Sequence, residues 1–174
     1  MDSHRIERAM KPRLILLISI VFGLVQPLHS QVVLPHRESG GGLPEHAFGL
    51  GVSLGAASGI GLSFRHHFPS TISYQLTGGI INVDDRMQYS FGAEVQADLS
   101  RTYSTRFFAA GAVGYYHAGK SGKNEMAGPG RAGIGVGGET YLGGGFHGSL
   151  ELLFTYFTDG TVLPLPQCAF HYYF

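Results

Sequence analysis

Lysine and cysteine are nearly missing from this sequence, and so is any excess of charge of one sign. Lysine stands only at Lys11, Lys120 and Lys123. Soluble all-β proteins usually put lysine and glutamate on the wet face and on strand edges. The scarcity therefore speaks against a sheet bathed in water. The single cysteine, Cys168, excludes an internal disulfide, and a lone thiol reads as packing rather than chemistry. The 12 basic and 12 acidic residues balance. A nucleic-acid binder would show a basic surplus, so that partner is excluded. The apolar run at residues 14–25 spans 12 residues, short of the roughly 20 that a membrane-crossing helix needs.

What is there begins with an export pattern. Arg5, Arg8, Lys11 and Arg13 lead into that apolar run, and Gln26-Pro27-Leu28-His29-Ser30 follows it. A basic start, a short apolar run and a small residue, in that order, mark a secretory signal peptide. Residues 1–30 are expected to be removed, with cleavage near Ser30 and with Met10 as a second candidate start. Residues 31–46 contain Gly40-Gly41-Gly42 and two prolines and read as a flexible lead-in. Residues 47–174 make one domain's worth of chain.

The stretch at residues 86–99, RMQYSFGAEVQADL, organises that domain. Met87, Tyr89, Phe91, Ala93, Val95, Ala97 and Leu99 share one parity, and Gln88, Ser90, Gly92, Glu94, Gln96 and Asp98 the other. Successive strand side chains point to opposite faces, so this is a strand with an apolar wall and a polar wall. Its 14 residues far exceed the usual strand of about 5–6. The alternation recurs at residues 47–55, 60–65, 72–80, 103–115, 131–142, 146–156 and 170–174, which makes eight strands. Tight turns are expected at Ser58-Gly59, at Pro69-Ser70, and around residues 82–85, 100–102 and 143–145. Longer loops are expected at residues 118–129 and 158–166, with Pro164 and Pro166 keeping the last strand from starting earlier.

Alternation does not by itself say which wall faces out. Three features place the apolar wall outside. The polar wall is largely Gly, Ser and Ala, which suits the narrow interior of an eight-stranded barrel. Its charges are of both signs, Arg65, Arg106 and Arg131 against Glu94, Asp98, Glu139 and Glu151, so they can pair as buried charges must. The aromatics of the apolar wall collect towards strand ends. Tyr89, Tyr115 and Tyr156 fall towards one rim, and Phe68, Tyr103, Phe146, Tyr172 and Phe174 towards the other. Two such girdles belong to a barrel that crosses a bilayer. The fold expected is all-β: a single closed antiparallel eight-stranded transmembrane β-barrel with a polar interior.

From residue 47 to its ending Phe170-His171-Tyr172-Tyr173-Phe174, the chain resembles the small eight-stranded outer-membrane barrels of Gram-negative bacteria, the OmpA and OmpX type. The resemblance implies an outer-membrane location among lipid and lipopolysaccharide. It also implies that Phe170, Tyr172 and Phe174 form the signal read by the outer-membrane assembly machinery. A monomer without cofactor is expected, with no separate peptidoglycan-binding domain after Phe174 and with residues 121–128 and 158–166 exposed outside.

Four patterns could carry chemistry. Residues 133–138 fit G-x-G-x-x-G but have no βαβ context, so the glycines read as room for interior side chains. His147-Gly148-Ser149 is similar to the H-x-S pair of outer-membrane lipid A deacylases. Parity places it on the lumen wall, away from any lipid substrate, and residues two apart along a strand are too distant for a direct hydrogen bond. A polar interior network is the expected role, and catalysis is not expected. The nine histidines show no metal-ligand spacing, and His66 and His67 must point to opposite walls. The interior charges could line a narrow water path, but an eight-stranded lumen is filled by side chains, so a plug is expected rather than a pore. The functional expectation is a structural or surface-interaction protein, with a narrow channel or small-solute transporter as the alternative and a lipid hydrolase behind it.

Overall fold

In a computed structural model, which describes residues 47–83, 86–120 and 123–174, every regular element is a strand. The expected signal peptide and lead-in lie outside these residues. The strands are β1 (Ala47–Gly55), β2 (Gly59–His67), β3 (Ile72–Val83), β4 (Arg86–Arg101), β5 (Thr105–Lys120), β6 (Gly130–Gly143), β7 (Phe146–Phe157) and β8 (Val162–Tyr173). Each pairs antiparallel with its sequence neighbour, and β1 pairs with β8, so the sheet closes into a barrel.

Along every strand the polar and small residues turn inward and the large apolar ones outward. Leu62, Ile80, Leu99, Val113, Ile134 and Leu150 are all exposed, whereas Arg65, Gln75, Glu94, Gln96 and His171 are fully buried. The lumen is not wholly polar, however. Phe108 and Leu153 also turn inward and pack with Ala57, Ala110 and Ala112.

One end of the barrel carries the turns β2–β3, β4–β5 and β6–β7 together with Phe174; it is called the turn end below, and the opposite one the loop end. The loop end departs from expectation in three strands, the first being β3, which runs on to Val83 and so takes in part of the turn expected at residues 82–85. β5 runs on to Lys120, and β8 begins at Val162, before both prolines. Residues 118–120 and 162–166 are thus strand rather than loop.

The prolines are tolerated for a geometric reason. Phe174 N donates to Phe48 O of β1, and Tyr173 N donates towards β7, to Gly145 O. Backbone groups alternate sides along a strand, so even-numbered β8 residues face β1. Pro164 and Pro166 pair with Phe154 and Leu152 of β7, while their missing donors face the other way. The β1–β8 ladder ends at Leu54–Cys168, and its next bonded position would have needed an N–H from Pro166.

Beyond that point β1 leaves the wall. The β1–β2 turn does not sit on the rim but folds into the lumen, where Ala57 and Ser58 are buried. A buried turn must have its backbone groups satisfied, and interior side chains do this. Gln167 Oε1 accepts from Ala57 N at 2.9 Å and from Ser58 N at 3.2 Å. Tyr116 OH accepts from Gly59 N at 2.9 Å and donates to Gly55 O. Arg131 Nη1 donates to Ala56 O at 3.1 Å, and Ser90 Oγ both accepts from Ile60 N and donates to Ile60 O.

Room for the turn comes from glycine. A Cβ on Gly92 would stand 2.4 Å from Ser58 C, and one on Gly114 would stand 2.4 Å from Ala57 O. Since backbone cannot yield as a flexible side-chain tip can, Gly114→Val is expected to destabilise the barrel by about 1–3 kcal/mol through overpacking. Gly111→Val, where nothing lies within 4 Å, should be near neutral. Urea unfolding of the refolded protein, followed by tyrosine fluorescence, compares the two; equal midpoints would refute the packing of the turn against β5.

Candidate functional site

The lumen holds a network built around Glu139 of β6. Arg65 reaches it from β2, with Nη1 donating to Glu139 Oε2 at 2.5 Å. Arg106 reaches the same oxygen from β5, with Nη2 at 2.6 Å and Nε at 3.0 Å. The other carboxylate oxygen lies 3.1 Å from His147 Nδ1. One acid thus joins two guanidiniums in a site without water exposure, where each charge depends on its partners. The remaining donors are also placed. Arg65 Nε and Nη2 donate to Gln75 Oε1, and Nη2 also lies 3.8 Å from Glu151. Arg106 Nη1 donates to Asp98 Oδ1 at 2.8 Å, and its Nη2 donates to Gln96 Oε1. Arg101 Nε lies 3.8 Å from the other Asp98 oxygen.

Glu94 and Glu151 form a second part. Gln96 Nε2 donates to Glu94 Oε1 at 2.5 Å and to Glu151 Oε1 at 3.3 Å. Gln167 Nε2 lies 3.4 Å from Oε2 of both acids. Glu94 therefore meets amides, and among the described residues no arginine makes an ion pair with it.

Arg131 does not belong to this network. It shares the inward parity but lies nearer the loop end, stacked over Tyr116 at 3.9 Å and Phe157 at 4.8 Å. Among the described residues no carboxylate pairs with it, and its buried Nε has no hydrogen-bond partner. The expectation of one set of interior charges is corrected accordingly: position along the barrel axis, which parity does not encode, separates Arg131 from the rest.

His147 and Ser149 are both inward and each is engaged elsewhere. His147 lies on Glu139, and Ser149 Oγ accepts from Arg65 Nη2 at 3.4 Å. Two other histidines make the contacts with hydroxyls: His171 with Ser63 Oγ at 2.9 Å and His67 with Tyr173 OH at 2.8 Å. All four of these residues are buried, and they knit β2 to β8. Parity marked them as inward. Gln167 has no signature in the sequence, where the two prolines put it at an expected strand start, yet it serves both the β1–β2 turn and the acid pair. Residues 133–138 lie within β6, with no helix after them.

Aromatic side chains of the outer wall gather near both ends of the barrel. Near the loop end the rings of Tyr89 and Tyr115 are 6.4 Å apart, and Tyr156 is exposed. Near the turn end Phe68 lies 5.6 Å from Tyr74, and Phe146 lies 5.0 Å from Tyr172 and 5.3 Å from Phe170. Tyr103 and Phe174 are exposed there as well. His66, outward as parity requires, stacks on Phe48 at 4.4 Å.

A large concavity at the loop end combines outer and inner wall. At the loop end β3 continues through residues 79–83 paired only to β4, and β8 through residues 162–167 paired only to β7. Between them the wall is notched, because β1 and β2 have nine residues each and their turn has gone inside. A cleft of about 1190 Å³ opens there. Val52, Ile60 and Leu62 line it from the outer face of the hairpin, Ile80 and Met87 from β3 and β4, and Tyr116 and Arg131 from the lumen. Ligand pockets usually measure roughly 300–1,000 Å³.

No family model, curated protein or solved structure matches the chain.

Glu139→Ala would leave two guanidiniums without their shared carboxylate. It is expected to cost about 3–5 kcal/mol of unfolding stability. Glu125→Ala removes the partner of Arg86 in a pair whose side chains are 56% and 45% exposed, and should cost about 1 kcal/mol or less. Equal urea midpoints for the two variants would show that the lumen network does not hold the barrel together.

Proposed function

We propose that the chain is an integral outer-membrane β-barrel that serves the envelope as a structural or surface-interaction protein, with a plugged lumen and no catalytic role. The observation that carries this reading is the inverted wall. Large apolar side chains cover the outside of a closed barrel whose fully buried side chains include Arg65, Gln75, Glu94 and Gln96. In water that arrangement exposes the surface that ought to be buried; in a bilayer it places every side chain in its proper solvent. Strands of 12 to 16 residues from β3 to β8 exceed the roughly 9–11 that a tilted membrane strand requires. On this reading the partners are membrane lipid and lipopolysaccharide, Phe170, Tyr172 and Phe174 present the outward face offered to the assembly machinery, and an exported chain has reached the outer membrane.

The filled interior argues against a through-channel. Arg65, Phe108, Leu153 and Gln96 leave no exposed surface at mid-lumen, and the β1–β2 turn covers them from the loop end. A second reading, uptake of a small apolar solute, draws support from the cleft, which opens sideways rather than along the axis.

Two measurements test the first reading. Cell fractionation should place the protein in the outer membrane, with a folded form that migrates differently before and after boiling. Val95, which faces outward from the middle of β4, then separates bilayer from water. Val95→Arg should cost about 2–4 kcal/mol in a bilayer-spanning barrel but stay within about 0.5 kcal/mol if that face is already in water. In planar bilayers the inserted protein should show no conductance steps. A soluble protein with an indifferent Val95→Arg variant would overturn the proposal.

A further inference from the structure

Arg131 ends the cleft, and among the described residues no carboxylate pairs with it, which decides what the cleft would hold. Two other polar groups at its inner end are committed. Tyr116 OH is taken by Gly59 N and Gly55 O, and Ser90 Oγ by the backbone of Ile60. Arg131 gives one donor to Ala56 O, and its Nε has no partner. Its guanidinium is held flat against two aromatic rings, so it is oriented before any ligand arrives. A flat fork of this kind fits a planar oxyanion with two oxygens. Arg86, the other arginine at this end among the described residues, is occupied by Glu125 at 2.7 Å. Among the described residues the lining thus carries one arginine and no lysine, which suits a monoanion better than a phosphate carrying two.

From this cation outward the lining is mostly apolar, with Gln88 and His117 as its further polar members. Met87, Ile80, Ile60 and Leu62 lead from the lumen to the outer surface, and all four are exposed there. We infer that the cleft binds an unbranched long-chain carboxylate, with the carboxylate on Arg131 and the chain leaving through the notch between β3 and β8 to lie along the outer face of the β1–β2 hairpin. The inference rests on the second reading above and adds to it a ligand class, a polarity and a direction. Chain burial would supply affinity in proportion to the apolar area covered, and the guanidinium would select the ionised acid over neutral lipid.

The test uses the full mature protein in phosphatidylcholine nanodiscs, with spin-labelled stearate in alkaline buffer and its methyl ester as the uncharged control. Electron paramagnetic resonance reads the motionally restricted fraction. Stearate is expected to show a saturable restricted component that the ester lacks. Arg131→Gln should weaken it about tenfold, the worth of a charge-assisted hydrogen bond, and Arg131→Lys should weaken it less. Ile81→Trp, at the cleft's edge, should weaken it by obstruction while leaving Arg131 in place, and carries the test alone if Arg131→Gln fails to fold. Equal restriction of acid and ester, or a component unchanged by either variant, overturns the inference. Insertion and the boiling shift are recorded on the same samples. A protein that inserts but does not distinguish acid from ester ends this inference alone, whereas one that does not insert ends the membrane reading with it.

Discussion

The structure depends on one requirement: a turn placed inside a barrel must find a partner for every backbone group it brings. In the β1–β2 turn Gln167, Tyr116, Arg131 and Ser90, four side chains from four different strands, meet the N–H groups of Ala57, Ser58, Gly59 and Ile60 and the carbonyls of Gly55, Ala56 and Ile60. Much else follows. Because the turn is inside, glycines must stand at Gly92 and Gly114. Because it is inside, the lumen is closed at that level and the wall is short at the loop end. The cleft is the space the hairpin vacated.

The lower lumen answers a similar demand with charge. Two arginines share one oxygen of Glu139, and Glu94, with which no arginine among the described residues makes an ion pair, is held by the amides of Gln96 and Gln167. Such a network does little for stability relative to a well-packed apolar core. Its value is positional. An eight-stranded barrel has room for only a few long side chains, and a network that is satisfied in one arrangement ties β2, β4, β5, β6 and β7 to a single mutual register.

Much of this could be read from the residues alone. The barrel's strand count, the outward wall and the inward parity of Arg65, Arg106, Glu94, Asp98, Glu139 and Glu151 follow from a period of two, which is a local property. What was hidden is non-local. Pro164 and Pro166 look like strand breakers until the missing donor is assigned to the side where β1 has already left. Arg131 looks like its fellow arginines because parity has no axial coordinate. The inward turn has no signature of its own. Gly92, Gly114 and Gly133 allow it, but glycine on an inner wall also permits curvature, and nothing in the sequence distinguishes the two.

The prolines of β8 have one more consequence, which concerns the seam where the first and last strands meet. A seam of two short apolar-faced strands could slide by two residues without turning any side chain to the wrong face. Sliding β1 towards the loop end would set Leu54 opposite Pro166 and exchange a ladder bond for an unmet carbonyl. The seam is therefore indexed from one end by an atom that is not there, so that the barrel's last closure is a selection among registers as well as a joining of edges.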